Sequence, residues 1–383
     1  MTSQVFSCNS LRQACLPALP RRSFSAVLSV AAILGLYGHG LHAQTSQTPQ
    51  TPLKIGILYN TPISDVGWNF QHHTGMQQME KAFPGKVKVE YIENVPEGPD
   101  AERVIRQLAQ NGNQVIFTPS FGYMEPTLRV AKEFPNVIFA NGTGYKQAAN
   151  VSSYSAKFYE ARYLLGALAG YTSKTGIAGY VGAFPIPEVL QGINAFTQGM
   201  RSVNPKAEVK VVWVNSWFDP GKEKQATTAL INLGADSLLN HTNSPAAVIE
   251  AEAKGKYSYG YQSDMAKLAP KGQLSAVVHN WGPYYTKVVG DVLEGKWKAD
   301  DTLGSYAQGY IKIAPLNAGV PQNVKDKIQK LEADLVAGKV APFAGPLRDN
   351  EGKERVAAGN TLSAADIGKM DYYAMGVIGK VPK

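Results

Sequence analysis

The sequence predicts an α/β protein with two doubly wound lobes, on three observations. Short apolar runs rich in β-branched residues alternate with segments of helical spacing, as parallel sheets covered by helices require. The alternation comes in two consecutive series, broken near Asn150, with no close sequence repeat between them. The apolar runs stop in loops carrying an aromatic residue, Asn or Asp. In an open parallel sheet the ligand sits beyond the carboxyl ends of the strands, where such loops lie.

The first series opens with the apolar run Lys54–Asn60, then the loop Ser64-Asp65-Val66-Gly67-Trp68-Asn69, then a helical pattern from about Phe70. Val87–Ile92 reads as a strand, and Ala101–Gln110 has helical spacing with a stop at Asn111-Gly112. Gln114–Thr118 reads as a buried strand ending in Pro119-Ser120-Phe121-Gly122-Tyr123, followed by a helix Glu125–Phe134 and a strand Val137–Ala140.

The second series starts with a strongly apolar helix, Tyr159–Thr172. Strands follow at Ile177–Val181, Glu208–Val214, Ser237–Asn240 and Tyr257–Tyr261. Helices fall between them at Val189–Ser202, at Lys222–Leu233 with Gly234 as its stop, and after the Ser244-Pro245 start signal. Val277–Asn280, the helix Tyr284–Leu293, the strand-like Tyr310–Ile313 and an amphipathic helix Pro321–Ala337 complete it. The tail 341–383 is rich in Gly, Pro, Asp and Lys and reads as short wrapping elements, with Arg348–Gly352 as a hairpin tip and no chemistry.

Residues 1–43 read as a cleaved secretory signal peptide: Arg12, Arg21 and Arg22 with no acid, an apolar run from about Phe24 to Tyr37, and the small-residue site Leu41-His42-Ala43. Arg21-Arg22 also suits a twin-arginine signal, and the general secretion route is the expected one. The run is shorter than the ~20 residues of a membrane-spanning helix. Residues 44–52 read as a disordered tether. Both cysteines, Cys8 and Cys15, precede the apolar run, so the processed chain has no disulfide and no cysteine to carry a lipid anchor. A chain of this length holds two ordinary cores without staples. The formal charge of +8, three units of it from the leader arginines, is spread out with no basic block, which speaks against nucleic acid. The leader predicts an exported chain, and a monomer in the periplasm is the expectation.

Catalytic signatures are sparse. There is no G-x-S-x-G elbow, no H-E-x-x-H and no P-loop, and Gly142-Thr143-Gly144 reads as a turn. After the leader only His72, His73, His241 and His279 remain. His72 and His73 point about 100° apart on a helix, unlike a metal pair, and read as helix-surface or cleft-edge residues. No cofactor and no metal site is expected. Trp68, Phe121, Tyr123, Phe184, Trp217 and Trp281 all lie just past predicted strands. Each alone reads as a packed core or loop aromatic; together they favour a cleft that stacks on a flat ring, each such pair contributing ~0.5–1.5 kcal/mol beyond area burial. Asn69, Asn243, Asp264 and Asn280 accompany them and suit a heterocycle with ring nitrogens and an exocyclic amine. Asp264 also reads as a turn or helix cap.

The segments Asp65–Asn69, Phe117–Tyr123, Tyr159–Ala167, Gly179–Pro187, Val214–Lys222 and Tyr259–Asp264, in this order, resemble the basic membrane protein family of substrate-binding proteins, the purine-nucleoside-receptor-like group of ABC importers. The resemblance implies a type I periplasmic-binding fold, two Rossmann-like lobes joined by three crossovers. These fall near 154–158, 262–265 and 306–309, so that 53–156 plus about 265–306 form one lobe and 157–264 plus about 309–340 the other. It implies a purine base or nucleoside held between aromatics in the inter-lobe cleft, an ABC permease as partner and no enzymatic step. By motif position Trp68, Asn69, Phe121, Trp217 and Asp264 line the cleft. The family's usual Ser-Phe-Asn is Gly67-Trp68-Asn69 here, a larger ring that takes space from a ribose. Two other functions fit the same residues: binding of a sugar or an autoinducer, or nucleoside hydrolysis by a carboxylate pair such as Asp65 with Asp264.

Overall fold

The computed structural model describes residues 51–382. The leader, residues 44–50 of the tether and Lys383 lie outside the described residues. The chain runs β1 (Leu53–Leu58), α1 (Trp68–Ala82), β2 (Val87–Ile92), α2 (Pro99–Gln110), β3 (Val115–Thr118), α3 (Met124–Glu133), β4 (Ile138–Gly142) and β5 (Val151–Ala156). It continues α4 (Phe158–Thr172), β6 (Ile177–Gly182), α5 (Pro187–Val203), β7 (Glu208–Trp213), α6 (Pro220–Asn232), β8 (Ser237–His241), α7 (Ala246–Ala253) and β9 (Tyr257–Gly260). Then come β10 (Gln273–His279), α8 (Gly282–Leu293), β11 (Asp301–Gly304), β12 (Ile311–Ile313) and α9 (Gln322–Val336), followed by the tail.

Two parallel sheets result. The first has the order β11-β5-β4-β3-β1-β2, and the second starts β12-β10-β9-β8-β6-β7, with β12 its one antiparallel strand. Central strands such as β3, Val-Ile-Phe-Thr, are buried at every residue, as a sheet covered on both faces demands. The chain passes between sheets at 156–158, 279–282 and 304–311.

The second passage differs from the sequence expectation. Gln262–Met265 is no crossover, because β10 pairs with β9 (Gln273 beside Ser258, Ser275 beside Tyr259). The chain therefore stays in the second lobe through His279 and crosses at Asn280 into α8, which packs on α1. The polar turn after β9 looks like a cleft loop, but the buried strand that follows must satisfy its backbone groups on a neighbour. Two further strands, the neighbours β5 and β11, escape the sequence pattern. β5 is Val-Ser-Ser-Tyr-Ser-Ala, and its hydroxyls are used internally: Ser153 Oγ donates to Asp301 on β11 at 2.5 Å, and Ser152 Oγ accepts from the Asp300 N–H at 3.1 Å.

In the second lobe α4 and α5 touch backbone to backbone. A Cβ on Gly166 would collide with the Phe196 carbonyl, and one on Gly199 with the Tyr163 carbonyl. The tail adds a small hairpin, β13 (Leu347–Arg348) with β14 (Glu354–Val356), a short helix α10 (Ala364–Ile367), and β15 (Val377–Ile378) beside β7. It also clamps α5: Asn194 Nδ2 donates to the Tyr372 carbonyl and Asn194 Oδ1 accepts from the Ala374 N–H, both at 2.8 Å.

Candidate functional site

A narrow cleft opens where the carboxyl ends of both sheets face each other. The first lobe lines it with Asn60, Trp68, Ser120, Phe121 and Thr143. The second lines it with Glu188, Trp217, His241, Asn243 and Gln262. Each follows or ends a parallel strand: Asn60 after β1, Ser120 after β3, Thr143 after β4, Trp217 after β7, His241 at the end of β8 and Gln262 after β9.

The first-lobe wall is fixed by a chain of hydrogen bonds. Trp68 is nearly buried, and its Nε1 donates to the Pro119 carbonyl at 2.7 Å. Asn69 Nδ2 donates to Asn60 Oδ1 at 3.2 Å, Asn60 Nδ2 to Ser120 Oγ at 3.4 Å, and Ser120 Oγ to Glu97 Oε1 at 2.5 Å. Behind Trp68 stand Phe158, His279 and Trp281, all edge-on to it at 5.5–6.2 Å.

The second-lobe wall carries titratable groups. Trp217 is half-buried with Phe184 against its edge at 5.2 Å, and its carbonyl accepts from the Asn243 N–H at 2.7 Å. Gln262 Nε2 donates to Asn243 Oδ1 at 2.9 Å, which leaves Gln262 Oε1 without a partner. Glu188 Oε1 lies 3.2 Å from His241 Nε2, and the Tyr261 hydroxyl reaches the same nitrogen at 2.9 Å. Burial pushes the Glu188 carboxyl up to about 8. Burial, then the Arg162 charge, holds His241 well below its usual range.

The lobes touch at the mouth. The Gly67 N–H donates to Ser263 Oγ at 2.8 Å and Gln71 Nε2 donates to the same oxygen at 3.1 Å. Gly67 has φ +95°, and a Cβ there would stand 2.6 Å from the Asn243 carbonyl oxygen.

Of the residues expected in the cleft, Trp68, Phe121, Trp217 and Asn243 line it. Five do not. Asn69 stands one layer back and orients Asn60. Tyr123 is fully buried under α2 and α3 and donates to the Val95 carbonyl at 2.6 Å. Phe184 braces Trp217 without lining the cleft. Trp281 is a core residue, stacked on His72 at 4.8 Å, so His72 is buried core and no surface histidine. Asp264 is an exposed turn residue that accepts from the Ala266 N–H at 3.0 Å and from Gln273 Nε2 at 2.7 Å. Asp65 is exposed as well, so the carboxylate pair Asp65–Asp264 does not form in the cleft.

Sequence reasoning missed Asn60, Ser120, Thr143, Glu188, His241 and Gln262. The strand-end rule that found the aromatics applies equally to polar residues at those ends. Glu188, in the first turn of a helix after Pro187, has the position of an ordinary helix-dipole acid. Among the described residues no helix is long and apolar enough to cross a membrane, and no three His, Cys, Asp or Glu side chains gather as metal ligands.

Residues 53–341 match the family described as PnrA-like ABC transporter substrate-binding proteins. The chain is 45% identical over 355 residues to a purine-binding protein of Brucella abortus (strain 2308), an alignment covering 92% of this chain and 99% of that protein. It is 34% identical over 325 residues to a candidate ABC transporter glucose-binding protein of Haloferax volcanii, covering 85% and 80%. A solute-binding protein of an ABC transporter system from Aeropyrum pernix K1 shares the fold, with a TM-score of 0.65 at 17% identity over 77% of this chain and 94% of that one.

Proposed function

The chain belongs to the PnrA-like family of ABC transporter substrate-binding proteins, and from that premise we propose that it captures a purine base or purine nucleoside between its lobes and hands it unchanged to the permease of an ABC importer. One observation carries this reading: three aromatic side chains from both lobes, Trp68, Phe121 and Trp217, meet in a single cleft with the polar side chains of Asn60, Asn243 and Gln262. Rings supply stacking surface for a flat heterocycle, and amides match its donors and acceptors. The purine-binding relative, 45% identical over nearly its whole length, supports the same ligand class. The predicted leader would place the protein in the periplasm, where such a receptor meets its ligand, and the lobes would close on it by hinge motion.

The glucose-binding name of the relative at 34% identity favours a sugar as the second reading. Sugars also stack on aromatics but call for more charged hydrogen-bonding partners, and Glu188 is the one carboxylate in this cleft. Hydrolysis has less support, since Asp65 and Asp264 both stand outside the cleft. The test is thermal unfolding with adenine, adenosine, guanosine, inosine, glucose and leucine. A ligand that binds only the folded state raises the melting temperature by mass action. The purines should shift it and glucose and leucine should not; the reverse pattern overturns the proposal. Steady release of free base from a nucleoside would overturn the transport role.

A further inference from the structure

Glu188 is out of keeping with the rest of the cleft. The other lining residues are aromatic, amide, hydroxyl or imidazole side chains, and this one is a carboxyl. It sits at the head of α5, directly after Pro187, which has no N–H to offer. The next two backbone N–H groups, of Val189 and Leu190, already donate to the Ile186 carbonyl. No lysine or arginine of the described chain pairs with it; its one ionic neighbour is His241 on β8.

Burial disfavours the charged form of both members of the pair, and the charges of Arg162 and His279 further oppose a proton on His241. His241 has the hydroxyl of Tyr261 on Nε2 at 2.9 Å and that of Tyr180, from β6, near Nδ1 at 3.5 Å. Arg162 of α4 lies behind the ring of Tyr261, 4.0 Å from its centroid, and its Nη2 donates to the Asn240 carbonyl at 2.7 Å. That cation opposes a proton on His241 and makes no ion pair with Glu188. A neutral imidazole therefore faces a carboxyl with 18% of its side-chain surface exposed. One carboxyl oxygen, Oε1, meets His241; the other, Oε2, has no protein partner and belongs to the residue that lines the cleft.

We propose that Glu188 meets the ligand as a carboxylic acid, its Oε2–H donating a hydrogen bond to an acceptor atom of the bound heterocycle such as an unprotonated purine ring nitrogen. This deepens the proposed function and rests on it. A donor at this point complements a lone pair in the plane of the ring, which Trp68, Phe121 and Trp217 would sandwich or flank. Loss of the proton turns the donor into an anion aimed at that lone pair, so ligand affinity falls as the carboxyl ionises.

The test is calorimetric titration of adenine, which stays neutral over the range used, into the parent protein and Glu188→Gln at pH 7 and pH 9. With the carboxyl titrating at about 8, one unit above leaves about a tenth of the molecules protonated, so parent affinity should drop about tenfold. Glutamine presents an N–H donor at every pH. The variant should bind within about threefold of the parent at pH 7 and lose little at pH 9. Melting curves establish that it is folded. Equal parent affinity at both pH values, or a folded variant that loses tenfold at pH 7, would overturn the role of Glu188 and leave purine binding standing. Absence of binding by adenine, guanine and their nucleosides to the parent at either pH would overturn both.

Discussion

The two walls of the cleft are built on different principles. In the first lobe Trp68 is nine-tenths buried and edge-packed on four aromatic neighbours, His72, Phe158, His279 and Trp281, and a relay of amides and a hydroxyl pins Asn60 and Ser120. In the second lobe Trp217 stands half-exposed with Phe184 as its one aromatic brace within 6 Å, and the polar groups include a carboxyl and an imidazole whose charge burial suppresses. The first wall is an extension of the core. The second is buried as well at His241, Asn243 and Gln262, and its more open members are Trp217 and the carboxyl of Glu188.

Replacing the two tryptophans separates the walls most sharply. Trp68→Ala should cost ~3–5 kcal/mol of stability, the range for a large buried aromatic, together with ligand binding. Trp217→Ala should leave the denaturation midpoint near that of the parent and weaken purine binding by at least ~1 kcal/mol through lost stacking. Urea denaturation and calorimetry on both variants check this, and equal losses of stability would erase the distinction.

The contact between the walls comes next. Gly67→Ala puts a side chain 2.6 Å from the Asn243 carbonyl and strains a backbone at φ +95°. Binding should weaken by ~1–3 kcal/mol, with X-ray scattering showing a larger radius of gyration in the presence of ligand than the parent has. Unchanged scattering would show that Gly67 and Asn243 do not meet on closure.

The smallest effect is expected at Asp264. Asp264→Asn alters an exposed turn whose carboxylate caps Ala266 and holds Gln273, so purine affinity should stay within about twofold, the usual size of a surface change. A tenfold loss would move Asp264 into the site and return the second wall to the composition the sequence suggested.

Much of this architecture is legible in the sequence, because periodicity is local. The helices Pro99–Gln110 and Phe158–Thr172 and the strand Val87–Ile92 follow from spacing and stop signals within a residue or two. So do the two series, the strand-end rule that marks Trp68, Phe121 and Trp217, and the family resemblance. The Ser-rich strand Val151–Ala156 is not legible, since its hydroxyls are satisfied by Asp301 and the Asp300 N–H, far along the chain. Nor is the second passage between lobes, which depends on Gln273–His279 finding a partner in Tyr257–Gly260. Whether a strand-end aromatic faces ligand or core is decided the same way: Trp68 reaches the cleft, while Trp281, equally placed in sequence, stacks on His72 behind it. The sequence by itself determined most of the elements, their alternation and the end of each sheet where a ligand would bind. Only the tertiary structure decided that Glu188, His241 and Gln262 face that place and Asp264 does not, because orientation there depends on contacts between segments distant in the chain.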